Sequence, residues 1–382
     1  MMSHVYFDHN ATTALDSRVL KAMLPFLTTQ QGNATSRHAY GRFARDAVEQ
    51  AREQVANAVG AYPSQVVFTA SGTEANNFAI AGMAATLPNT QIAISAIEHP
   101  CVTRPAEMMQ SRGWALAKIG VNHQCELAFA QLENALRKPT SLVSVMLANN
   151  ETGAIQNIAD VAELARKNGA YVHTDAVQAL GKIDVNFEAL NVYAMTISSH
   201  KIHGPQGAGA LILDKRVDIS PLLLGGGQEK GLRSGTENVA AIVGFGMACA
   251  LSVEKLHEHA LHTQSLRQQL EIGLQALDAT IFSPHTARLP NTSFFAFPNI
   301  EGETLVMALD KKGFAVASGS ACSSDSTEPS HVLLAMNVPP DLARGAIRVS
   351  FDASNTVEQV SAFLTILKQE LKRLQQMVAI AA

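Results

Sequence analysis

Lys201 closes the run Ser198-Ser199-His200-Lys201, directly after a β-like stretch and among hydroxyls and a histidine. An amine so placed is suited to condense with a carbonyl as a Schiff base, because desolvation and a cationic neighbour favour its free-base form. In isolation the same residue reads as a solvated surface lysine. Asp175, in His173-Thr174-Asp175, ends the preceding β-like run. There a carboxylate can accept the N–H of a pyridinium ring and keep that ring an electron sink, although alone it reads as a helix cap. Ser71-Gly72-Thr73 precedes a helical pattern and offers backbone N–H groups and hydroxyls to a phosphate, with Ser198 and His200 as further donors. An amine, a ring partner and a phosphate cradle in this order are what pyridoxal 5'-phosphate requires. The small, polar run Ser318-Gly319-Ser320-Ala321-Cys322-Ser323-Ser324 has no helical or strand periodicity, and as an exposed loop it would let Cys322 move between a buried site and the surface. Cys101, two residues after His99, is a weaker reactive candidate, and Cys249 in an apolar run reads as structural. Arg348, in Ala-Ile-Arg-Val-Ser, serves equally as a bidentate clamp for a substrate carboxylate or as half of a structural ion pair.

These residues need a scaffold that brings strand ends together. Across 36–215, short β-rich runs alternate with longer helical patterns, the signature of a mostly parallel sheet covered by helices. Ala44, Ala47, Val48, Ala51, Val55, Ala58 and Val59 mark one amphipathic helix by their three- and four-residue spacing. The runs 65–69, 142–148, 171–174, 193–198 and 208–213 read as strands, and 158–167 as a helix ended by Gly169. Ser71 and Glu74 have capping-box spacing before Phe78, Ala79 and Ile80. Glu98-His99, Asn149-Asn150-Glu151 and Gln178 also fall at strand exits, where ligands bind in open α/β sheets. A charged helical pattern over 254–276 separates this region from a second strand-and-helix segment, 282–374.

Composition narrows the class. The 382 residues correspond to about two to three domains at ~150 residues each, and 47% hydrophobic with 16% charged residues argues for large buried surfaces. With 29 Lys+Arg against 33 Asp+Glu the net charge is -4, which provides no global basic field for nucleic acid or an anionic membrane. Four cysteines without a Cys-x-x-Cys pair make neither a disulfide framework nor a zinc ribbon, and they favour a reducing compartment. His200 and His203 lack a third ligand at suitable spacing, so no metal site is expected. The N-terminus lacks the pattern of a signal peptide, and the apolar run 239–253 is shorter than the ~20 residues a membrane span needs, so it reads as a buried helix. Gly204-Pro-Gln-Gly-Ala-Gly209 is no dinucleotide fingerprint, because its glycines precede a strand rather than open a helix.

Seven motifs in order carry a specific resemblance: Asp8-His-Asn-Ala-Thr-Thr13, Ser71-Gly-Thr-Glu-Ala-Asn76, Asn149-Asn-Glu-Thr-Gly153, His173-Thr-Asp-Ala-Val-Gln178, Ser199-His-Lys-Ile-His-Gly-Pro205, Arg233-Ser-Gly-Thr236 and Ser318-Gly-Ser-Ala-Cys322. From about residue 5 to 370 the chain resembles the cysteine desulfurases of the NifS/IscS type, in the class V aminotransferase family. The resemblance implies an α/β fold-type-I transferase, with a large domain (15–254) built on a mostly parallel seven-stranded sheet and a smaller α+β domain (1–14 and 255–382) carrying the Cys322 loop. It implies pyridoxal 5'-phosphate as cofactor, Lys201 as the Schiff-base lysine, Asp175 on the pyridine nitrogen and Gln178 on the ring hydroxyl. His99 would stack on the ring and shuttle a proton. Gly72, Thr73, Ser198 and His200 would hold the phosphate together with Thr236 from the other subunit of a homodimer. Asn150 and Arg348 would position L-cysteine, and Cys322 would take its sulfur for an acceptor such as an iron–sulfur scaffold, in the cytoplasm. Selenocysteine lyase and class V aminotransferase are the alternatives that keep the cofactor.

Overall fold

The structure is a computed structural model that describes residues 4–319 and 328–381. The chain opens with a short strand, β1 (Val5–Tyr6). Seven strands follow: β2 (Val66–Thr69), β3 (Gln91–Ser95), β4 (Ala115–Ile119), β5 (Leu142–Ser144), β6 (Tyr171–Asp175), β7 (Ala194–Ser198) and β8 (Gly209–Leu213). They form one sheet in the order β2-β8-β7-β6-β5-β3-β4. The pairs from β4 through β7 are parallel, and β8 runs antiparallel to both its neighbours. Every residue of β2, β3, β5, β7 and β8 is buried, as a sheet covered by helices on both faces demands.

Local structure follows the apolar pattern with definable exceptions. The periodic apolar residues between 44 and 59 belong to the helix Ala39–Ala58, which packs against the long apolar helix Val239–Glu254. Helix Ile158–Lys167 has the bounds its sequence suggests. The strand expected over 142–148 is regular only to Ser144. Beyond it, Val145 and Leu147 still donate to the carbonyls of His173 and Asp175, while Ala148 turns into a bridge with Ile155. The expected capping box is half made: Ser71 Oγ accepts from the Glu74 amide at 3.1 Å, but the Glu74 carboxylate turns away to Arg233, 2.7 Å distant. The charged pattern 254–276 begins after a break at Lys255, where helix Leu256–Gln275 meets its predecessor at 72°. Among the described residues no single helix is long and apolar enough to cross a membrane.

The second segment holds β9 (Thr280–Ile281), β10 (Thr292–Ala296), β11 (Phe314–Ala315), β12 (Ala317–Ser318) and β13 (Ile347–Ser350). Four of them make an antiparallel sheet in the order β12-β13-β10-β9, and β11 pairs in parallel with β1. Phe7 is fully buried here, edge-on to Phe351 and Phe363 at ring distances of 5.0 and 5.6 Å. That anchor fixes where the next residues, Asp8 to Asn10, run.

A buried ion pair holds the leading edge of the large sheet. The Arg52 guanidinium grips Glu229 through two bonds of 2.9 and 2.8 Å and also donates to the Val66 carbonyl, while Glu229 accepts from the Phe68 amide. Both side chains are almost wholly buried, and Glu229 is kept in the left-handed backbone region, at φ 49°. Removing Glu229 leaves the buried Arg52 with only the exposed Glu49 carboxylate, 3.2 Å from its Nε, to offset its charge. We predict that Glu229→Ala lowers the unfolding free energy by about 3–5 kcal/mol, read from the shift of the urea denaturation midpoint.

Candidate active site

Three strand exits meet at one cavity of about 400 Å³. The first follows β2, where Ser71 caps the helix Gly72–Asn77. Backbone packing here is close: a Cβ on Gly209 would lie 2.6 Å from the Ser71 carbonyl carbon, so only glycine lets β8 start beside this turn. A Cβ on Gly72 would lie 3.0 Å from the Val177 side chain and 3.3 Å from that of Ser198, so the missing atom opens a cradle. Facing it, the buried Ser198 hydroxyl has no hydrogen-bond partner among the described residues. An unpaired buried hydroxyl is costly, and it marks a place where a ligand acceptor belongs.

The second exit is Asp175, at the end of β6. Its Oδ2 accepts from Asn76 Nδ2 at 2.7 Å and its Oδ1 from the Val177 amide at 2.9 Å. Burial pushes this carboxyl above its usual range, against those two bonds and the charges of His99 and Lys201. The third exit is Lys201, one turn past β7, whose Nζ donates to the Asn10 and Ala11 carbonyls, each at 2.6 Å. His99 lies in the cavity wall. Its Nδ1 accepts from the Cys101 amide at 3.2 Å and sits 2.8 Å from Cys101 Sγ, which leaves Nε2 to carry the proton of the neutral ring. Burial holds His99 below the usual imidazole range, and burial with the Lys201 charge brings His200 down to about 4.

Of the residues singled out from sequence, Gly72, Thr73, His99, Asn150, Asp175, Gln178, Ser198, His200, Lys201 and Arg348 all line this cavity. Thr236 does not. It lies in a separate depression with Thr69, Gly207, Glu229 and Gly235. Cys322 lies outside the described residues. Arg348, on β13, has the ion pair its sequence left open, with Asp8 at 2.6 Å; it also donates to the Asn150 carbonyl at 3.0 Å, and its buried Nε has no partner among the described residues. Cys101 lines the cavity beside His99, but burial and the Asp175 charge push its thiol well up, so it stays protonated. Cys249 is fully buried. His203 bonds Asp352 at 2.9 Å. Among the described residues no group of three or more potential ligands could hold a metal ion.

Asn10, Asn76 and Lys182 also build the site, although no periodicity points to them. Asn10 receives Gln178 Nε2 on its carbonyl at 2.9 Å and donates its own Nδ2 to the Asn150 carbonyl at 3.1 Å. The only available signal is its place in the motif that begins at Asp8.

The match to known proteins follows this geometry. The family model described as aminotransferase class-V matches residues 5–363. The chain belongs to that family. A cysteine desulfurase IscS of Dictyoglomus turgidum is 41% identical over 379 residues, covering 98% of this chain and 96% of the relative. A solved NifS-like protein superposes with a TM-score of 0.92 at 40% identity, covering 97% of this chain and 99% of that one. A solved structure titled SspA in complex with cysteine gives a TM-score of 0.80 at 31% identity, covering 92% and 99%. Within the class-V aminotransferases the chain is a cysteine desulfurase of the IscS/NifS type, with the mostly parallel, seven-stranded α/β sheet of the fold-type-I enzymes.

Glu98, next to His99, is fully buried. Its Oε1 accepts from the Met146 amide at 2.7 Å and from the Ser95 hydroxyl, and its Oε2 has no partner. Burial pushes this carboxyl up to about 8, so it is protonated at neutral pH. A folded-state value above the unfolded one means that folding takes up a proton. The stability this group contributes is therefore complete below pH 4.5 and is lost as pH rises toward about 8. Glu98→Gln removes that dependence. In denaturant titrations at stepped pH, the unfolding free energy of the parent should fall relative to the variant by up to about 1.4 kcal/mol per unit across this window.

Proposed function

We propose that this chain uses pyridoxal 5'-phosphate to take sulfur from L-cysteine, leaving L-alanine and a persulfide on Cys322. The observation that carries the reading is the convergence of Asp175, Lys201 and the Gly72 cradle, with its unpaired Ser198 hydroxyl, on one cavity. The residues present fit this cofactor: Gly72, Thr73, Ser198 and His200 would hold the phosphate, Asp175 would take the ring N–H, Gln178 the ring hydroxyl, and His99 would stack on the ring. When bound, pyridoxal phosphate supplies an electrophilic carbon for amines and a ring that draws electron density from the substrate Cα. Thr236, away from its own chain's cavity, completes the site of the second subunit in a homodimer.

The chain's own groups do the rest. Lys201 would hold the cofactor, and its freed amine would then take the proton from the substrate's Cα. His99, neutral and protonated on Nε2, donates and takes back a proton on the opposite wall. Arg348 and the Asn150 segment orient the substrate carboxylate, as the unpaired Nε allows. Cys322 Sγ, as thiolate, attacks the substrate sulfur: the new S–S bond forms as the substrate's C–S bond breaks, and the C–S electron pair stays on carbon, which is protonated and released as alanine. Bound cysteine in the SspA structure supports this substrate. The persulfide passes to an acceptor protein such as an iron–sulfur scaffold, in the cytoplasm. We assign the cofactor to a large domain spanning 15–254, and the Cys322 loop to a small one formed by 1–14 and 255–382, which fits the separate aromatic core around Phe7.

Purified protein given L-cysteine and a reductant should release alanine and sulfide in equal amounts. Cys322→Ala should lose sulfide by at least a hundredfold while keeping the cofactor's visible absorption, and Lys201→Ala should lose both products. Equal release by Cys322→Ala would exclude Cys322 as sulfur carrier and point to a lyase without persulfide. A coloured protein that releases neither product but transaminates would overturn desulfuration.

A further inference from the structure

Lys182 is not among the residues lining the active cavity. It lies behind the wall, beside a second, smaller cavity that His9, His203 and Asp352 also line. Its Nζ makes two bonds, to Gln178 Oε1 at 2.7 Å and to Asn10 Oδ1 at 2.9 Å. Both acceptors belong to amides that do face the active cavity. Among the described residues no carboxylate is bonded to Lys182; the charges around it are Lys201 and Arg348, with Asp352 of opposite sign. Burial and those two cations hold its pKa well below the ordinary lysine range. A neutral amine still has two N–H bonds, which is the number these acceptors use.

The consequence falls on Gln178. A planar amide can flip, exchanging its oxygen and nitrogen, and only its neighbours decide which way it points. The Asn10 carbonyl can only accept, so it takes Nε2, and on the other side the Lys182 amine donates to the oxygen. Gln178 Nε2 then donates one hydrogen to the Asn10 carbonyl, at 2.9 Å, and its second has no acceptor among the described residues. We infer that Lys182 is a positioning residue that locks the Gln178 amide, so that one N–H is always presented to the oxygen atom bound opposite it in the cavity. Resting on the cofactor reading above, that oxygen is the ring hydroxyl of pyridoxal phosphate, whose anionic form the N–H stabilises.

The test reads the cofactor's colour and not turnover. Holoenzyme is titrated with pH, and the midpoint of its visible absorption change is recorded for the parent, Lys182→Met, Gln178→Leu and the double variant. Losing the N–H makes the ring oxygen more basic, so Lys182→Met should raise the midpoint by roughly 0.5–1 unit, the worth of one neutral hydrogen bond. Gln178→Leu should move it the same way, and the double variant no further. An unchanged midpoint in Lys182→Met, with only a lower melting temperature, overturns the inference. So does an equal further shift when Lys182→Met is added to Gln178→Leu, since Lys182 then acts without Gln178. Should Lys182→Met fail to fold, Lys182→Gln, with a shorter donor, is held to the same non-additivity. A parent protein that develops no visible band with pyridoxal phosphate overturns the cofactor reading instead.

Discussion

Asn10 is almost completely buried, and each of its four polar groups is matched by a different part of the chain. Its amide donates to Ser350, its carbonyl accepts from Gln178 and Lys201, its Nδ2 donates to Asn150 and Thr292, and its Oδ1 accepts from Lys182 and Asn291. An asparagine in a dry interior is tolerated only when its donors and acceptors are all met, and here meeting them fixes the distance between the two sheets. β13 and β10 lie on one side of this residue, the exits of β6 and β7 on the other. The cavity is the space left once Asn10 is satisfied.

Burial also sets which groups in the wall carry charge. Glu98 is kept protonated, while His99 and His200 are kept neutral, all chiefly because water is excluded from them. The Arg348 guanidinium and the Asp8 carboxylate face each other at 2.6 Å, each offsetting the other's charge. The result is a wall rich in neutral donors and acceptors with a few charges at defined places. Such a wall is suited to steering protons among a bound ring, an amine and a carboxylate, because few competing charges blur which atom is the base.

Much of this was legible in the residues. The alternation of β-rich and helical runs gives the sheet, and the polar residues at strand ends give the wall, because strand exits are where an open α/β sheet exposes side chains. The bounds of helix 158–167 follow from periodicity and Gly169. Other features obey rules that sequence spacing does not carry. Glu74 leaves the capping box because Arg233, remote in sequence, offers a stronger partner. β3 and β4 escape the alternation rule, since β3 is buried on both faces and shows no alternation of its own. Asn10 and Lys182 carry no chemical signature individually; their importance arises from three-dimensional satisfaction of buried amides. The choice between clamp and ion pair for Arg348 dissolves, because a guanidinium has enough donors to bond Asp8 and Asn150 and keep Nε in reserve.

The bonds from Asp8 to Arg348 and from Asn10 to Ser350 each span 340 residues. A ribosome delivers Asp8 and Asn10 before β13, so until β13 emerges Asp8 lacks Arg348 and Asn10 lacks Ser350. The large sheet can form on a nascent chain, but its cavity stays open on the side that β13 will close. Closing that side therefore waits for β13 and carries the loop-closure entropy of a 340-residue separation. A chain released before β13 would carry nearly every residue that touches the cavity and still lack the wall that Arg348 supplies.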